Sequence, residues 1–239
     1  MGTRRHQHHP ADASIAATRR EASATLRSLA ALCCALSFST QAQDHAATSP
    51  SRVYEYQVLL DGKPIGIHRF TVATEGAERH VTSDANFAVR FLGFEAYRYR
   101  HHAQEHWNGD CLAALTSDTD DDGERSSVRI LKSGDVNEIA SGSGIASVSG
   151  CLMSYAYWNP ALRSQTRLLN PQTGRVDNVT IQRAGSGRLI RRGQEILAVD
   201  WRISGGEAPI DVWVSEQGEW VGLDSMVAKG KHRLSYRQP

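Results

Sequence analysis

The chain has 239 residues, 40% of them apolar and 22% charged, with 27 Lys and Arg standing against 26 Asp and Glu. That near-balance excludes the clustered basic surplus by which nucleic-acid binders neutralise phosphate, and it offers nothing to an anionic membrane. The length suits one hydrophobic core and is thin for two.

The first 42 residues read as a secretory signal carried on an over-extended N-terminus. Arg27 precedes an apolar run over residues 29–38, and small and polar residues then lead to Ala42. A positive charge, about ten apolar residues and a small-residue exit are the parts of such a signal. A membrane-spanning helix would need about 20 apolar residues. Neither Cys33 nor Cys34 follows a small residue other than cysteine, which argues against a lipoprotein. Cleavage after Ala42 is expected, and it removes His6, His8 and His9. It also takes five of the 27 basic residues and two of the 26 acidic ones, leaving 22 against 24 and a net charge of −2. Residues 43–239 are then a single exported domain, periplasmic or secreted, with no transmembrane segment. Two cysteines remain, Cys111 and Cys151. In an oxidising compartment they are most simply a disulfide, and two separate buried thiols are the alternative.

Short alternating segments separated by turn residues recur along the domain. Tyr54, Tyr56, Val58 and Leu60 share one face of the first, with Glu55 and Gln57 on the other; period 2 is the strand signature. Treating 61–64 as a four-residue turn pairs Leu60 with Ile65 and Val58 with Ile67. Strands follow over 81–91, 96–107, 112–119 and 126–132, with a turn at 120–123. Residues 133–150, rich in Gly and Ser, read as a mobile loop. Asn159 followed by Pro160 predicts a short helix near 160–165, because Asn can cap and Pro is pre-set for the first helical position. A turn is expected at 170–174, then strands near 176–183, 189–191, 195–203, 210–214, 220–227 and 232–236. The fold class is all-β: an antiparallel meander bent into an open or closed barrel, or folded into a sandwich, with one short helix.

His102, Glu105 and His106 match H-x-x-E-H, a zinc-protease motif that works only where residues four apart are neighbours on a helix. Here the flanks alternate, with Tyr97, Tyr99, His101, Ala103, Glu105 and Trp107 on one face and Arg98, Arg100, His102, Gln104 and His106 on the other. On a strand, His102 and His106 stand roughly 13 Å apart, at about 3.3 Å per residue. The motif therefore predicts no zinc, and neither a metal site nor a cofactor is expected. Residues 118–123 begin like a calcium loop, but the twelfth position is Arg129 where the closing Glu should be. The remaining candidates are aromatic. A turn over 215–218 sets Trp213 across from Trp220, with Ile210 opposite Leu223 and Val212 opposite Val221. Such a Trp pair could serve as a stacking platform.

Four stretches together resemble a known family: YQVLLDGKPIGIHRF, LGFEAYRYRHHAQEHWNGDCL, CLMSYAYWNPALRSQTRLLNPQTG and DVWVSEQGEWVGLDS. They are similar to a bacterial family of exported proteins known as a domain of unknown function (domain of unknown function 6134). The resemblance covers nearly all of the mature chain, and 155–160 with 170–174 is its most specific part. Cys111 and Cys151 fall where that family would place them, whereas Val214 departs from the tyrosine-like residue expected after Trp213. The resemblance implies an exported β-domain and no chemistry.

No nucleophile motif is present. The leading expectation is a non-enzymatic envelope protein that binds a hydrophobic or amphipathic small molecule, or an envelope protein partner. Candidate binding residues are Arg98, Arg100, His102, Trp158, Trp213 and Trp220. The alternative is a periplasmic hydrolase using Arg98, Arg100, His102 and Glu105 around a cleft, and a structural role in an assembly is a third.

Overall fold

The computed structural model describes residues 51–91 and 94–239. The proposed signal, residues 1–42, lies outside the described residues. Thirteen strands form one antiparallel sheet. In chain order they begin with β1 (Ser51–Leu60), β2 (Lys63–Glu75), β3 (Glu78–Phe91), β4 (Phe94–Asn108), β5 (Cys111–Asp121), β6 (Glu124–Ser133), β7 (Val136–Ser141) and β8 (Gly144–Ser149). A 3-10 helix (Pro160–Ser164) and a two-stranded sheet of β9 (Arg167–Leu169) and β10 (Val176–Asn178) interrupt the meander. It resumes with β11 (Thr180–Arg191), β12 (Gln194–Ser204), β13 (Ile210–Ser215), β14 (Trp220–Val227) and β15 (His232–Arg237).

The order across the sheet is β11-β12-β13-β14-β15-β1-β2-β3-β4-β5-β6-β7-β8. The last strand thus pairs with the first, and each remaining neighbour pair is a hairpin. Among the described ladders β8 and β11 have one neighbour each, so the sheet curls without closing. The segment over 151–179 fills its inside. Leu152, Met153, Leu168 and Leu169 are fully buried there, in one cluster with Tyr56, Phe70, Trp107 and Trp220 from the inner face. Burying such side chains is worth about 1.5–3 kcal/mol each, which is what holds an open sheet curled. Among the described residues no helix is long and apolar enough to cross a membrane.

The short helix expected near 160–165 forms as a 3-10 helix of five residues, Pro160–Ser164. The Asn159 side chain accepts from the Ala161 amide at 3.0 Å and Pro160 opens the helix. The turn at 170–174 also forms, with the Gly174 amide donating to the Asn170 carbonyl at 2.9 Å.

Three local expectations are corrected. Asp61 and Gly62 both have positive φ, 48° and 78°. They make a two-residue hairpin turn of the type Asp-Gly favours, so Leu60 pairs with Lys63 and Leu59 with Pro64. Val58 then faces Gly66 across a bulge, and Ile67 turns to the outside, 51% exposed. A side chain at Gly66 would collide with the Asn86 carbonyl oxygen, so only glycine fits there. Residues 133–150 are no loop but the β7–β8 hairpin. Asn137 is fully buried there and donates to the Val148 and Gly150 carbonyls at 3.0 and 2.8 Å.

The third correction concerns the tryptophans. Ser215 bonds to Glu219, closing a three-residue loop, and a bulge follows, so Val214 pairs with Trp220 and Trp213 with Gly222. Because side chains alternate, a one-residue slip reverses the face. Trp220 therefore points inward, 2% exposed, with its ring 4.2 Å from that of Tyr56 and 5.2 Å from that of Phe70. Trp213 lies on the outer face and donates to Asp224 at 2.8 Å. No Trp–Trp platform forms at this hairpin.

Candidate functional site

The inner face is apolar at its ends and polar in a band across the middle. Registers β1–β2–β3–β4–β5 bring Tyr56, His68, Ala85, His101 and Thr119 into one row, and Phe70, Ser83, Ala103 and Ser117 into the next. Glu105 stands two residues beyond Ala103 on the same face. Of these, His68, Phe70, Ser83, His101 and Glu105 border a cavity of about 600 Å³ between the sheet, the inner segment and the loops around 205–210 and 226–230. Phe70, Tyr155, Tyr157, Trp158, Leu223 and Tyr236 supply its aromatic and aliphatic wall.

Each polar group in the band has a partner. His68 Nε2 lies 2.8 Å from Ser83 Oγ, and its Nδ1 lies 3.1 Å from the Tyr236 hydroxyl. His101 Nδ1 lies 2.9 Å from Thr119 Oγ1. Trp107 Nε1 donates to Glu105 at 2.9 Å. Tyr155 donates to Asp177 at 2.9 Å at the rim. Burial disfavours charge in this band: it pulls the His68 pKa down to about 3 and the His101 pKa down to about 4. The neighbouring His101 and His102, respectively, add to the two shifts. Burial also pushes the Glu105 carboxyl up, against hydrogen bonds from Ser154 and Trp107. His68 and His101 are thus neutral hydrogen-bonding groups, and the same burial works against charge on Glu105. The Ser83–His68 contact has the reach of a nucleophile and base. An imidazole with a pKa near 3 is nevertheless a weak base, and its other nitrogen meets a phenol, not a carboxylate.

The outer face carries the remaining candidates. Arg100 and His102 line an open groove of about 850 Å³ with Arg69, Asp84, Asp118 and Arg125. Acid and base alternate across it, and His102 bonds to Asp84 at 2.6 Å. Arg98 lies near Glu95 and Asp120, 3.9 Å from each. The Arg98 and Arg125 pairs with Asp120 lie at the surface, where such pairs contribute about 0–1 kcal/mol. Glu105 is on the opposite face, so the set Arg98, Arg100, His102 and Glu105 does not converge on one cleft. Of the six candidate binding residues, the fold brings only Trp158 and Trp220 to the inside. Trp158 lines the cavity, edge-on to Trp107 at 5.4 Å, and Arg79 lies over its ring.

His68, Ser83, His101, Tyr155, Tyr157 and Tyr236 were missed as site residues. One signal was available in β4, where His101 and Glu105 occupy the otherwise apolar face of an alternating strand. The bridge Cys111–Cys151, with Cα atoms 5.0 Å apart, ties the start of β5 to the end of the β7–β8 hairpin. It fixes the point where the chain enters the interior, since Leu112 next to it donates to the Leu152 carbonyl at 2.8 Å.

Residues 56–237 match the model of the domain of unknown function DUF6134. The chain belongs to this family. No curated protein matches the sequence. Among solved structures, it is similar to a beta-barrel-like protein of domain of unknown function DUF1849 from Brucella abortus. The identity is 10% and the TM-score 0.56, with 79% of this chain and 95% of the other covered. At that identity the likeness concerns the fold alone, and it agrees with the curled antiparallel sheet of this DUF6134 domain.

Proposed function

We propose that this DUF6134 domain is an exported, non-enzymatic binding protein of the cell envelope. It holds a small hydrophobic or amphipathic molecule in the interior cavity. The observation that carries this reading is a cavity of about 600 Å³ with an aromatic wall, which the uncharged His68 and His101 border together with Ser83. Small-molecule sites commonly have this size and this mixture. The apolar part of the ligand would lie against Phe70, Tyr157 and Trp158, and a hydroxyl or carbonyl would meet His68, Ser83 and His101. A charged end would stay at the mouth near Glu207 and Lys229. The signal-like leader and the disulfide support a periplasmic or secreted location.

Native mass spectrometry of the protein purified from its own envelope fraction tests this. A discrete adduct of one small apolar molecule per chain is expected, released by organic extraction. Protein that carries no adduct, and takes up none from an extract of envelope lipids, would overturn the reading. The hydrolase alternative has one foothold, the Ser83–His68 contact. A fluorophosphonate probe that labelled Ser83 would favour it over simple binding.

A further inference from the structure

His106, left over from the H-x-x-E-H motif, finds its neighbour across the sheet and not along the chain. On the outer face of β3 and β4 it pairs directly with His80. The two rings are stacked, their planes 3° from parallel and their centroids 4.6 Å apart. Glu78, two residues before His80, points to the same face. Its Oε2 lies 3.4 Å from His106 Nε2. One ligand atom from each of the three residues falls within 4.8 Å of the others.

We propose that Glu78, His80 and His106 bind a divalent first-row transition ion of the zinc class. A tetrahedral zinc holds N and O ligands at about 2.0–2.1 Å, which sets the ligand atoms about 3.3 Å apart. The Glu78–His106 separation already matches, and rotation of exposed or half-buried side chains closes what remains. The scaffold is firm: β3 and β4 pair along their whole length, and the Gly109 amide returns to the Ala77 carbonyl at 2.8 Å. The space above the pair is open, because the next residues across the sheet on either side are Ala73 and Ala114. Two imidazoles and one carboxylate suit zinc, copper or nickel, whereas calcium and magnesium take oxygen ligands. Three protein ligands leave a fourth position for water or for a group from another molecule. The other outer-face histidines stand in pairs, His102 with Asp84 and His232 with Asp61.

The test is a zinc titration of the untagged mature chain, residues 43–239, which lacks His6, His8, His9 and the thiols of Cys33 and Cys34. Calorimetry measures the stoichiometry, and histidine ring proton shifts identify the ligands. The expected result is one zinc per chain, with the His80 and His106 resonances shifting together. Affinity should fall at least about tenfold in His80→Ala and in His106→Ala and stay unchanged in His102→Ala. Absence of saturable binding below about 1 mM would overturn the site. So would zinc binding that leaves the His80 and His106 resonances in place, a readout that does not depend on how the variants fold.

Discussion

Breaking the Cys111–Cys151 bridge should cost the domain a large part of its stability. The bridge closes a loop whose ends are 40 residues apart, containing all of β6, β7 and β8. Cross-linking a loop of that size removes on the order of 4 kcal/mol of chain entropy from the unfolded state. The folded state keeps its other ties at this corner after reduction. Asn137 still donates to the Val148 and Gly150 carbonyls, and Arg167 to the Ser149 carbonyl at 3.2 Å. The loss therefore arises mainly in the unfolded chain. Residual structure there reduces it to about 2–3 kcal/mol, against a typical domain stability of 5–15 kcal/mol. For a domain of this size that lowers the melting temperature by roughly 5–10 °C. Calorimetric melting of oxidised protein, of reduced protein and of the Cys111→Ser/Cys151→Ser variant measures it. Hydrogen exchange should show β7 and β8 opening before the centre of the sheet, because β8 is an edge with one neighbour. A melting temperature unchanged on reduction, in protein whose two thiols then titrate as free, would show that the bridge adds no stability.

Two further outcomes are expected. His68 and His101 are neutral when folded, with pKa values near 3 and 4 against about 6.5 in the unfolded chain. Their contribution is complete above pH 6.5 and is lost as pH falls towards 4, by up to about 1.4 kcal/mol per pH unit for each. Glu105, raised by burial, works in the opposite direction and offsets part of that slope above its unfolded pKa. Denaturant unfolding at pH 7.5 and pH 5 should show the loss, and His68→Gln should reduce it; an identical pH dependence in the variant would contradict the assignment. Trp220→Ala should destabilise by about 3–5 kcal/mol, because its ring fills the core between Tyr56, Phe70 and Tyr157, whereas Trp213→Ala should cost far less. Equal costs in the same assay would mean that the β13–β14 register is misplaced.

Most strands were legible because period-2 alternation survives in them, as in Tyr54-Tyr56-Val58 and in the face from Tyr97 to Trp107. What failed was register. Between β13 and β14 a three-residue loop and a bulge each move the pairing by one place, and alternation alone cannot count them. That is why Trp213 and Trp220 were expected on one face. The β7–β8 hairpin escaped notice for a different reason: Ile139, the buried Asn137 and the partly buried Val148 anchor it, while Val136 and Ile145 are exposed and the alternation is broken. Ladder hydrogen bonds hold that hairpin, and they leave little trace in a hydrophobic pattern. The interior band was half visible, since His101 and Glu105 interrupt an apolar face. Their partners Thr119 and Ser154 come from strands and segments that only the fold brings near. The pairing of His106 with His80 likewise depends on the β3–β4 register, which no spacing along the chain encodes.

Binding in the interior cavity is tested most directly by titrating the domain with an apolar naphthylamine fluorophore, which brightens when it leaves water. Saturable binding at one site per chain is expected, competed by long-chain fatty alcohols. Ala156→Trp should abolish it, because Ala156 is 2% exposed and lines the cavity, so that an indole there fills the space. Failure of the fluorophore to bind saturably would rule out a ligand site in the cavity, as would equal binding by a folded Ala156→Trp variant.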